Sequence, residues 1–288
     1  MKITKNTYKE LFIDITGKCN QNCNVCYSKN LLKSKDISLD YFKDVCALLT
    51  TPTDLIFVGG EPTLHPKLFD LIEIANNMDH TVVLSTNGKK FAEDKEYTKE
   101  FSKIKGKRTR LNLDVSGGKD SRLYEIIMGK DLYLQKIRCL DNFKTYGIGK
   151  VMLSCILIKF LNESVIPDIL SLADEYKQIV RFVKFRSQSH NSSYLIEGLP
   201  LSTDDIRRLL SYYIPIEKQE KNVVLDGRTE PKCEGKTCCY HFMKDKRLMV
   251  CILECFTEQG LCWRKGRLND DYTIDEVFDS YRRLKNDT

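Results

Sequence analysis

Three cysteines, Cys19, Cys23 and Cys26, stand in a C-x3-C-x2-C array on a loop rich in asparagine. The loop follows an alternating apolar segment that predicts a β-strand over residues 10–16. Three thiolates are one fewer than a structural zinc ion or an ordinary four-iron cluster requires. The array therefore indicates an iron–sulfur cluster with one iron left open for another molecule, or a zinc site that a distant fourth ligand completes.

A second motif, Gly59-Gly60-Glu61-Pro62, comes directly after the next predicted strand, over residues 54–58. Taken alone, this motif indicates only a turn. The cysteine array and this motif, in this order and each just after a strand, resemble the motifs of the radical S-adenosylmethionine (radical SAM) family. The chain is thereby identified, by resemblance, as an iron–sulfur enzyme.

The resemblance implies roles for individual residues. Cys19, Cys23 and Cys26 would hold a [4Fe–4S] cluster whose open iron chelates the amino and carboxylate groups of SAM. The segment Gly59, Gly60, Glu61 and Pro62 would hydrogen-bond the methionine amino group. One-electron reduction would cleave SAM to methionine and a 5′-deoxyadenosyl radical that abstracts hydrogen from the substrate.

Two further cofactor contacts follow from the same resemblance. Asp114 lies where relatives of the molybdenum-cofactor enzyme place a polar residue on the SAM ribose. Val25 holds the apolar position before the last cysteine, where the backbone approaches adenine. Many relatives carry an aromatic residue there, so Val25 departs mildly from the family pattern.

Strands and helices alternate along the first two thirds of the chain. Strands are predicted over residues 10–16, 54–58, 80–86, 110–116, 150–159 and 180–187, and helices over 39–49, from 66, and over 91–105, 132–146, 164–177 and 203–213. Such alternation predicts parallel pairing with right-handed crossovers. The pattern alone fits an open barrel or a doubly wound sheet. The resemblance implies a partial (β/α)6 radical SAM barrel over residues 1–200 and a small C-terminal extension over 201–288.

Polar residues near the ends of the predicted strands are candidates for the active site, because barrel active sites lie at the carboxyl ends of the strands. We expect Asp114, Ser154 and Arg186 to face the barrel interior. Ser85 and Asn87 end the third strand. The alternative is that strand ends are polar only because a loop begins there. On the first interpretation, we expect four of these residues to contact SAM or substrate, without a division of roles: Ser85, Asn87, Ser154 and Arg186.

Six of the twelve cysteines crowd into the C-terminal tail. They flank a predicted hairpin that turns through residues 244–247, and an amphipathic helix around Ile274, Val277, Phe278 and Tyr281 is expected to close the chain. This arrangement resembles a "twitch" or shortened SPASM extension, which implies a second [4Fe–4S] cluster; a structural zinc site is the alternative. The candidate ligands are Cys233, Cys239, Cys251, Cys255 and Cys262, with Cys238 as a substitute for its neighbour.

The overall composition sets weak limits on partners and location. The chain of 288 residues has a formal net charge of +6 without a dense basic block, so an anionic substrate is permitted and nucleic acid is not required. It has neither an apolar run of membrane-spanning length nor a signal-peptide core. We therefore expect a cytoplasmic protein that does not contact membranes.

The leading hypothesis is a radical SAM enzyme that oxidises or rearranges a small molecule, with reaction class oxidoreductase, radical transferase or lyase. Carbon-centred modification of a ribosomally made peptide is the alternative. Only about one strand precedes the cysteine loop, so we expect any leader-binding domain to be a separate protein. RNA modification and a non-catalytic metal-binding module remain open. The family implies a one-electron reductant such as flavodoxin or ferredoxin.

Overall fold

The computed structural model describes the alternating part of the chain almost completely and the C-terminal part in segments. The described residues are 10–26, 35–49, 51–104, 106, 108–149, 151–184, 201–214, 219–220, 239–244, 247–253, 265–269 and 272–276. The strands are β1 Glu10–Thr16, β2 Asp54–Gly59, β3 Thr81–Thr86, β4 Thr109–Asp114, β5 Val151–Leu157, β6 Ile179–Lys184, β7 Gln219–Glu220, β8 Cys239–Lys244, β9 Arg247–Leu253, β10 Lys265–Leu268 and β11 Ile274–Glu276. The α-helices are α1 Leu39–Leu48, α2 Leu68–Asn77, α3 Lys89–Glu93, α4 Lys95–Ile104, α5 Ser121–Met128, α6 Tyr133–Thr145, α7 Ile166–Glu175 and α8 Thr203–Ser211.

The strands form one sheet in the order β11-β10-β1-β2-β3-β4-β5-β6-β9-β8-β7. Strands β1 to β6 pair in chain order and in parallel, which confirms the predicted α/β arrangement. The C-terminal strands extend this sheet at both edges, because β10 pairs in parallel with β1 and β9 pairs in parallel with β6. The proposed division at residue 200 therefore does not separate two sheets.

The described helices pack mainly on one face of the sheet, and α5 also contacts Ile156 on the other face. Alternate strand residues such as Ile13, Phe57 and Leu153 are fully buried in a single apolar cluster that also contains residues of α1 to α8, including Phe42 and Phe143. A doubly wound sheet would have helices on both faces. Helices mainly on one face of a parallel sheet instead favour a rolled, barrel-like sheet whose other face is the interior, called here the inner face.

Helix ends follow the capping chemistry of the sequence. Ser38 caps α1, since its side chain accepts a hydrogen bond from the Tyr41 N–H at 3.2 Å. Helix α5 was not predicted, although Asp120 accepts hydrogen bonds at its N-terminus and Gly129, at φ 74°, ends it in the left-handed conformation. The single helix predicted over residues 91–105 is divided into α3 and α4, because Asp94 adopts an extended backbone conformation between them.

The C-terminal tail corrects one prediction and confirms another. Ile274 lies in β11, which pairs antiparallel with β10, and not in the expected amphipathic helix. Pairing with β10 gives Ile274 its strand conformation and buries its side chain, whereas the apolar spacing records only the helical period. Val277, Phe278 and Tyr281 lie outside the described residues. The predicted hairpin is present, as β8 pairs antiparallel with β9.

No helix within the described ranges is long and apolar enough to cross a membrane.

Candidate active site at the carboxyl ends of the strands

The cysteine loop leaves β1 and is fastened to α5 on the other side of the site. The Asn24 N–H donates to the Ile127 carbonyl at 3.0 Å, and the Asn24 amide donates to the Ile126 carbonyl at 2.8 Å. Val25 is buried, 6% exposed, in an apolar cluster with Tyr124 and Ile127. These contacts place Cys23 and Cys26, which flank Asn24 and Val25 in the sequence, beside the carboxyl ends of the strands.

The three loop cysteines are free thiols that lie close together. Cys19 is exposed, and Cys23 and Cys26 are partly exposed. Burial, with smaller contributions from the charges of Asp114 and Cys26, raises the pKa of Cys23 to about 12. Burial also raises the pKa of Cys19, to which Glu61 and Cys26 contribute. The mutual influence of these groups shows that the cysteine loop, Glu61 and Asp114 share one site.

This donor set fits an iron–sulfur cluster. Thiolates are the ligands that iron–sulfur clusters require, and a four-iron cluster takes one thiolate at each iron. Its cysteines therefore need not converge on one point. Within the described part of the chain, no three His, Cys, Asp or Glu side chains converge as the ligands of a single metal ion would. The arrangement of the three thiols fits a cluster better than a lone zinc ion.

The Gly-Gly-Glu-Pro segment lies directly against the start of the cysteine loop. The Gly60 N–H donates to the Thr16 carbonyl at 2.8 Å, and the Glu61 N–H donates to the Lys18 carbonyl at 2.7 Å. A Cβ atom on Gly60 would lie 2.0 Å from the Lys18 oxygen. Gly59, at φ 113°, would bring a Cβ atom within 2.4 Å of the Thr16 oxygen. Only glycine permits this approach, which explains the motif.

The Glu61 carboxylate is buried and serves as a hydrogen-bond hub. One oxygen accepts from the Thr63 N–H at 3.1 Å, the Thr63 hydroxyl at 2.7 Å and the Thr86 hydroxyl at 2.6 Å. The other accepts from the Asn87 N–H at 2.7 Å. Pro62 begins a short 3-10 helix, Pro62–Leu64, that Glu61 caps. The acidic residue of the motif therefore joins the carboxyl ends of β2 and β3.

Asn87 connects this hub to the cysteine loop. Its side-chain amide donates to the Asn20 side-chain oxygen at 2.8 Å. Its carbonyl accepts from the Lys136 ammonium group at 2.8 Å. Asn87 was expected to contact SAM or substrate; in this structure its polar groups link β3, the cysteine loop and α6.

Asp114 lies at the carboxyl end of β4, as expected. Its carboxylate accepts from the Ser116 hydroxyl at 2.6 Å. Burial raises the pKa of Asp114, while the Lys136 charge and the Ser116 hydrogen bonds oppose this rise. Asn162, fully buried, ties the ends of β4 and β5 together, since its amide donates to the Ser116 and Ile156 carbonyls at 2.9 Å each. The sequence analysis did not identify Asn162.

A row of polar residues crosses the inner face at one level. The strand register places Asp114 beside Ser154 and Ser154 beside Arg181, and all three are partly exposed. Ser85 lies on the next strand, β3, where it pairs with Asn112 of β4, and its hydroxyl accepts a hydrogen bond from the Asn112 amide at 3.3 Å. Ser154 was expected on this face, but Arg181 was missed because the prediction followed the opposite phase of β6. Arg186 lies outside the described residues.

Lys136 is a third residue that the sequence pattern did not identify. It lies on the buried face of α6 and is 1% exposed. The only sequence signal was a lysine on the apolar stripe of a helix, which suggests a solvent-reaching side chain more readily than a buried charge. In the structure its charge acts on both Asp114 and Cys23.

The candidate ligands of a second cluster are described only in part. The backbone register of the β8–β9 hairpin places Cys251 opposite His241 and Cys239 opposite Leu253. Cys233, Cys238, Cys255 and Cys262 lie outside the described residues.

Comparison with known sequences gives consistent relatives. The family profile "Radical SAM superfamily" matches residues 13–173. The chain is 31% identical over 198 residues to the 7,8-dihydro-6-hydroxymethylpterin dimethyltransferase of Methanocaldococcus jannaschii, covering 65% of this chain and 38% of that protein. It is 25% identical over 188 residues to the GTP 3′,8-cyclase of Actinobacillus succinogenes, covering 62% and 54%. The chain thus spans between about a third and just over half of these two relatives.

Solved structures show the same fold. The chain superposes on Streptococcus suis SuiB bound to S-adenosylmethionine with a TM-score of 0.58 at 18% identity, covering 71% of this chain and 46% of SuiB. A radical SAM methyltransferase from Sphaerobacter thermophilus gives a TM-score of 0.51 at 12% identity, covering 69% and 61%. The family match spans more than half of the sequence and includes the end of β1, the cysteine loop, the Gly-Gly-Glu-Pro segment and β2 to β5. The chain belongs to the radical SAM superfamily.

Proposed function

We propose that the chain is a catalyst that binds SAM at a [4Fe–4S] cluster held by Cys19, Cys23 and Cys26 and uses it to abstract hydrogen from a small molecule. Radical SAM enzymes work with this cluster and with SAM. The observation that supports the assignment most strongly is the direct hydrogen bonding between the Gly-Gly-Glu-Pro segment and the cysteine loop. It joins the two cofactor motifs into one continuous surface.

The residues of this surface have distinct proposed tasks. The three cysteines hold the cluster, and the backbone from Gly59 to Pro62 presents hydrogen-bonding groups to the methionine amino group. Asp114 receives the ribose hydroxyls, and the backbone beside Val25 contacts adenine. When bound, the cluster and SAM supply a 5′-deoxyadenosyl radical after one-electron reduction. A flavodoxin or ferredoxin is the proposed reductant.

The substrate is proposed to occupy the inner face beside Asp114, Ser154 and Arg181. The Arg181 cation and the Ser154 hydroxyl suit a polar, anionic small molecule. The names of the two curated relatives, a pterin dimethyltransferase and a GTP cyclase, support a heterocyclic small molecule as the substrate class. Oxidation or rearrangement of such a molecule is the proposed outcome.

Peptide modification is the second candidate. SuiB has also been solved bound to its precursor peptide SuiA, and the chain superposes on that structure with a TM-score of 0.53 at 18% identity. This likeness concerns the fold alone, so peptides are included among the substrates to be tested. A cytoplasmic location fits both candidates.

A second cluster in the tail is also proposed. Six cysteines within thirty residues, two of them on the β8–β9 hairpin beside β6, support it. Iron analysis of the reconstituted protein tests this point. Two clusters predict about eight irons per chain and one predicts about four; zinc in the tail with four irons elsewhere would contradict the second cluster.

The test of the main proposal is reductive cleavage of SAM. Anaerobically reconstituted protein, reduced with dithionite and given SAM, is expected to form 5′-deoxyadenosine and methionine. Cys23→Ala should abolish this product, whereas Cys46→Ala, which removes a buried thiol of α1, should retain it. Stimulation of product formation by GTP, by a reduced pterin or by peptides then separates the substrate classes. Absence of 5′-deoxyadenosine from iron-loaded protein would overturn the proposal.

A further inference from the structure

Lys136 carries a charge into the interior without an evident structural need. The other buried residues of α6 are uncharged: the apolar Cys139, Leu140 and Phe143 and the amides Gln135 and Asn142. A buried ammonium group is unfavourable unless negative or hydrogen-bonding groups compensate it. Replacing a buried charge by an apolar side chain of similar size is often neutral or stabilising. The fold alone therefore gives little reason for a lysine at this position.

The compensating groups all belong to the cofactor site. The Lys136 ammonium group donates to the Asn87 carbonyl at 2.8 Å. Asn87 in turn contacts Asn20 of the cysteine loop and the Glu61 carboxylate. Lys136 thus holds the turn that joins β3 to both cofactor motifs.

The ammonium charge also lies close to the cysteine loop. Two hydrogen bonds, from Lys136 to the Asn87 carbonyl and from the Asn87 amide to Asn20, connect it to the residue that follows Cys19. It also opposes the rise in the pKa of Asp114 that burial causes. Asp114 and the three thiols gather negative charge there.

Reduction adds one negative charge to an iron–sulfur cluster. The potential of such a cluster depends on net charge, hydrogen bonding and solvent exposure around it. A fixed positive charge in a medium of low dielectric constant favours the more negative state.

We propose that Lys136 is a positioning residue of the cofactor site, whose buried charge holds the Asn87 turn against the cysteine loop and raises the reduction potential of the bound cluster. The proposal rests on the assignment of Cys19, Cys23 and Cys26 as cluster ligands. Lys136 makes electron transfer to the cluster easier and takes no part in hydrogen abstraction.

The test compares matched variants of the full chain after anaerobic reconstitution. Lys136→Met removes the charge in a side chain of similar length, and Lys136→Arg retains it. Lys136→Gln keeps a hydrogen-bond donor without the charge, and Lys144→Met removes an exposed charge from the same helix. Redox titration followed by electron paramagnetic resonance gives the midpoint potential of the cluster whose signal changes when SAM is added. Iron content and thermal unfolding are measured in parallel.

Lys136→Met and Lys136→Gln are expected to shift the equilibrium between oxidised and reduced cluster at least tenfold toward the oxidised form, about 59 mV for one electron. Lys136→Arg and Lys144→Met should keep the wild-type potential. Wild-type potentials in both uncharged variants, or an equal shift in Lys144→Met, would overturn the proposal. So would loss of iron from all three Lys136 variants, which would make the role structural. A wild-type protein without a cluster would instead refute the proposed function.

Discussion

The two halves of the candidate site are built differently. At the ends of β1, β2 and β3, Glu61 alone accepts four hydrogen bonds, and the backbones of the two motifs are bonded to each other. Along the inner face of β4 to β6, the side chains of Ser154 and Arg181 make no hydrogen bond to any described residue. We call the first half, at the ends of β1 to β3, the locked half, because its groups hydrogen-bond to one another. We call the second, along β4 to β6, the open half, because the side chains of Ser154 and Arg181 make no such bonds to described residues.

This difference matches the tasks that we propose for the two halves. A cofactor that every turnover uses in the same way benefits from groups that are held in place beforehand, because preorganised groups need not reorganise during the reaction. A substrate is recognised by groups that remain available to it. The contrast therefore separates cofactor chemistry from substrate choice within one sheet.

The largest effect is expected from the locked half. Gly60→Ala would place a Cβ atom 2.0 Å from the Lys18 carbonyl oxygen and force the two motifs apart. A displacement of about 1 Å in a catalytic arrangement can lower the rate about a hundredfold. We expect such a loss in the rate of 5′-deoxyadenosine formation, measured by chromatography with SAM in excess.

Gly149→Ala is the matched control for this substitution. A Cβ atom on Gly149 would meet no atom within 4 Å, so the rate should be unchanged. If Gly60→Ala cleaved SAM as fast as the wild type, close packing of the two motifs would not be a requirement of the site.

An intermediate effect is expected at Asp114, where the halves meet. Asp114→Asn should weaken SAM binding about tenfold, because a hydrogen bond to a charged group contributes about 1.5 kcal/mol or more. Isothermal titration of SAM into reconstituted protein measures this loss. Unchanged affinity would remove Asp114 from the cofactor-binding residues.

The same substitution makes a pH-dependent prediction for stability. Burial raises the folded-state pKa of Asp114 above its ordinary value of 3.8, so ionisation of the folded protein is unfavourable. Below pH 3.8 this carboxyl group is protonated in both the folded and the unfolded chain, so Asp114 does not lower the free energy of unfolding. As the pH rises from 3.8 through the folded-state pKa, the contribution of Asp114 lowers the free energy of unfolding. At neutral pH the cofactor-free Asp114→Asn variant should be the more stable, and the difference should vanish below pH 3.8. Urea unfolding across this range checks the sign; a less stable variant at neutral pH would contradict it.

The smallest effect on SAM cleavage is expected from the open half. Ser154→Ala removes a hydroxyl that bonds to no described residue, so the free energy of unfolding should change by about 0.5 kcal/mol or less. Cleavage of SAM without substrate should stay within about twofold of the wild type. A hundredfold loss would place Ser154 among the cofactor groups and erase the contrast between the halves.

Much of the locked half could be predicted from the sequence, because backbone requirements leave strong local signals. The glycine motif alone indicated only a turn, and the cysteines alone left a cluster or zinc open. Their order, each just after a strand, gave the family resemblance that paired the two motifs. The parallel order of β1 to β6 follows from regular alternation. What the sequence did not reveal is that Glu61 is buried as a hub, since its partners Thr86 and Asn87 lie on another strand.

The open half was harder to predict because strand phase and helix face decide which side chains enter it. Arg181 occupies the inner face, whereas the sequence directed attention to Arg186 on the same strand. Lys136 resembled any lysine on a helix until its burial was known. In the tail, Ile274 is in a strand because β10 offers it a pairing edge, a long-range effect that local periodicity does not record.

The most direct test is electron–nuclear double resonance of the reduced, reconstituted protein with SAM labelled at its amino nitrogen and carboxylate oxygen. A cluster held by Cys19, Cys23 and Cys26 with one iron open predicts hyperfine coupling to both labels, and loss of both couplings in Cys23→Ala but not in Cys46→Ala. Iron-loaded wild-type protein that shows neither coupling, or opening thiols that hold zinc in place of iron, would contradict the proposed site.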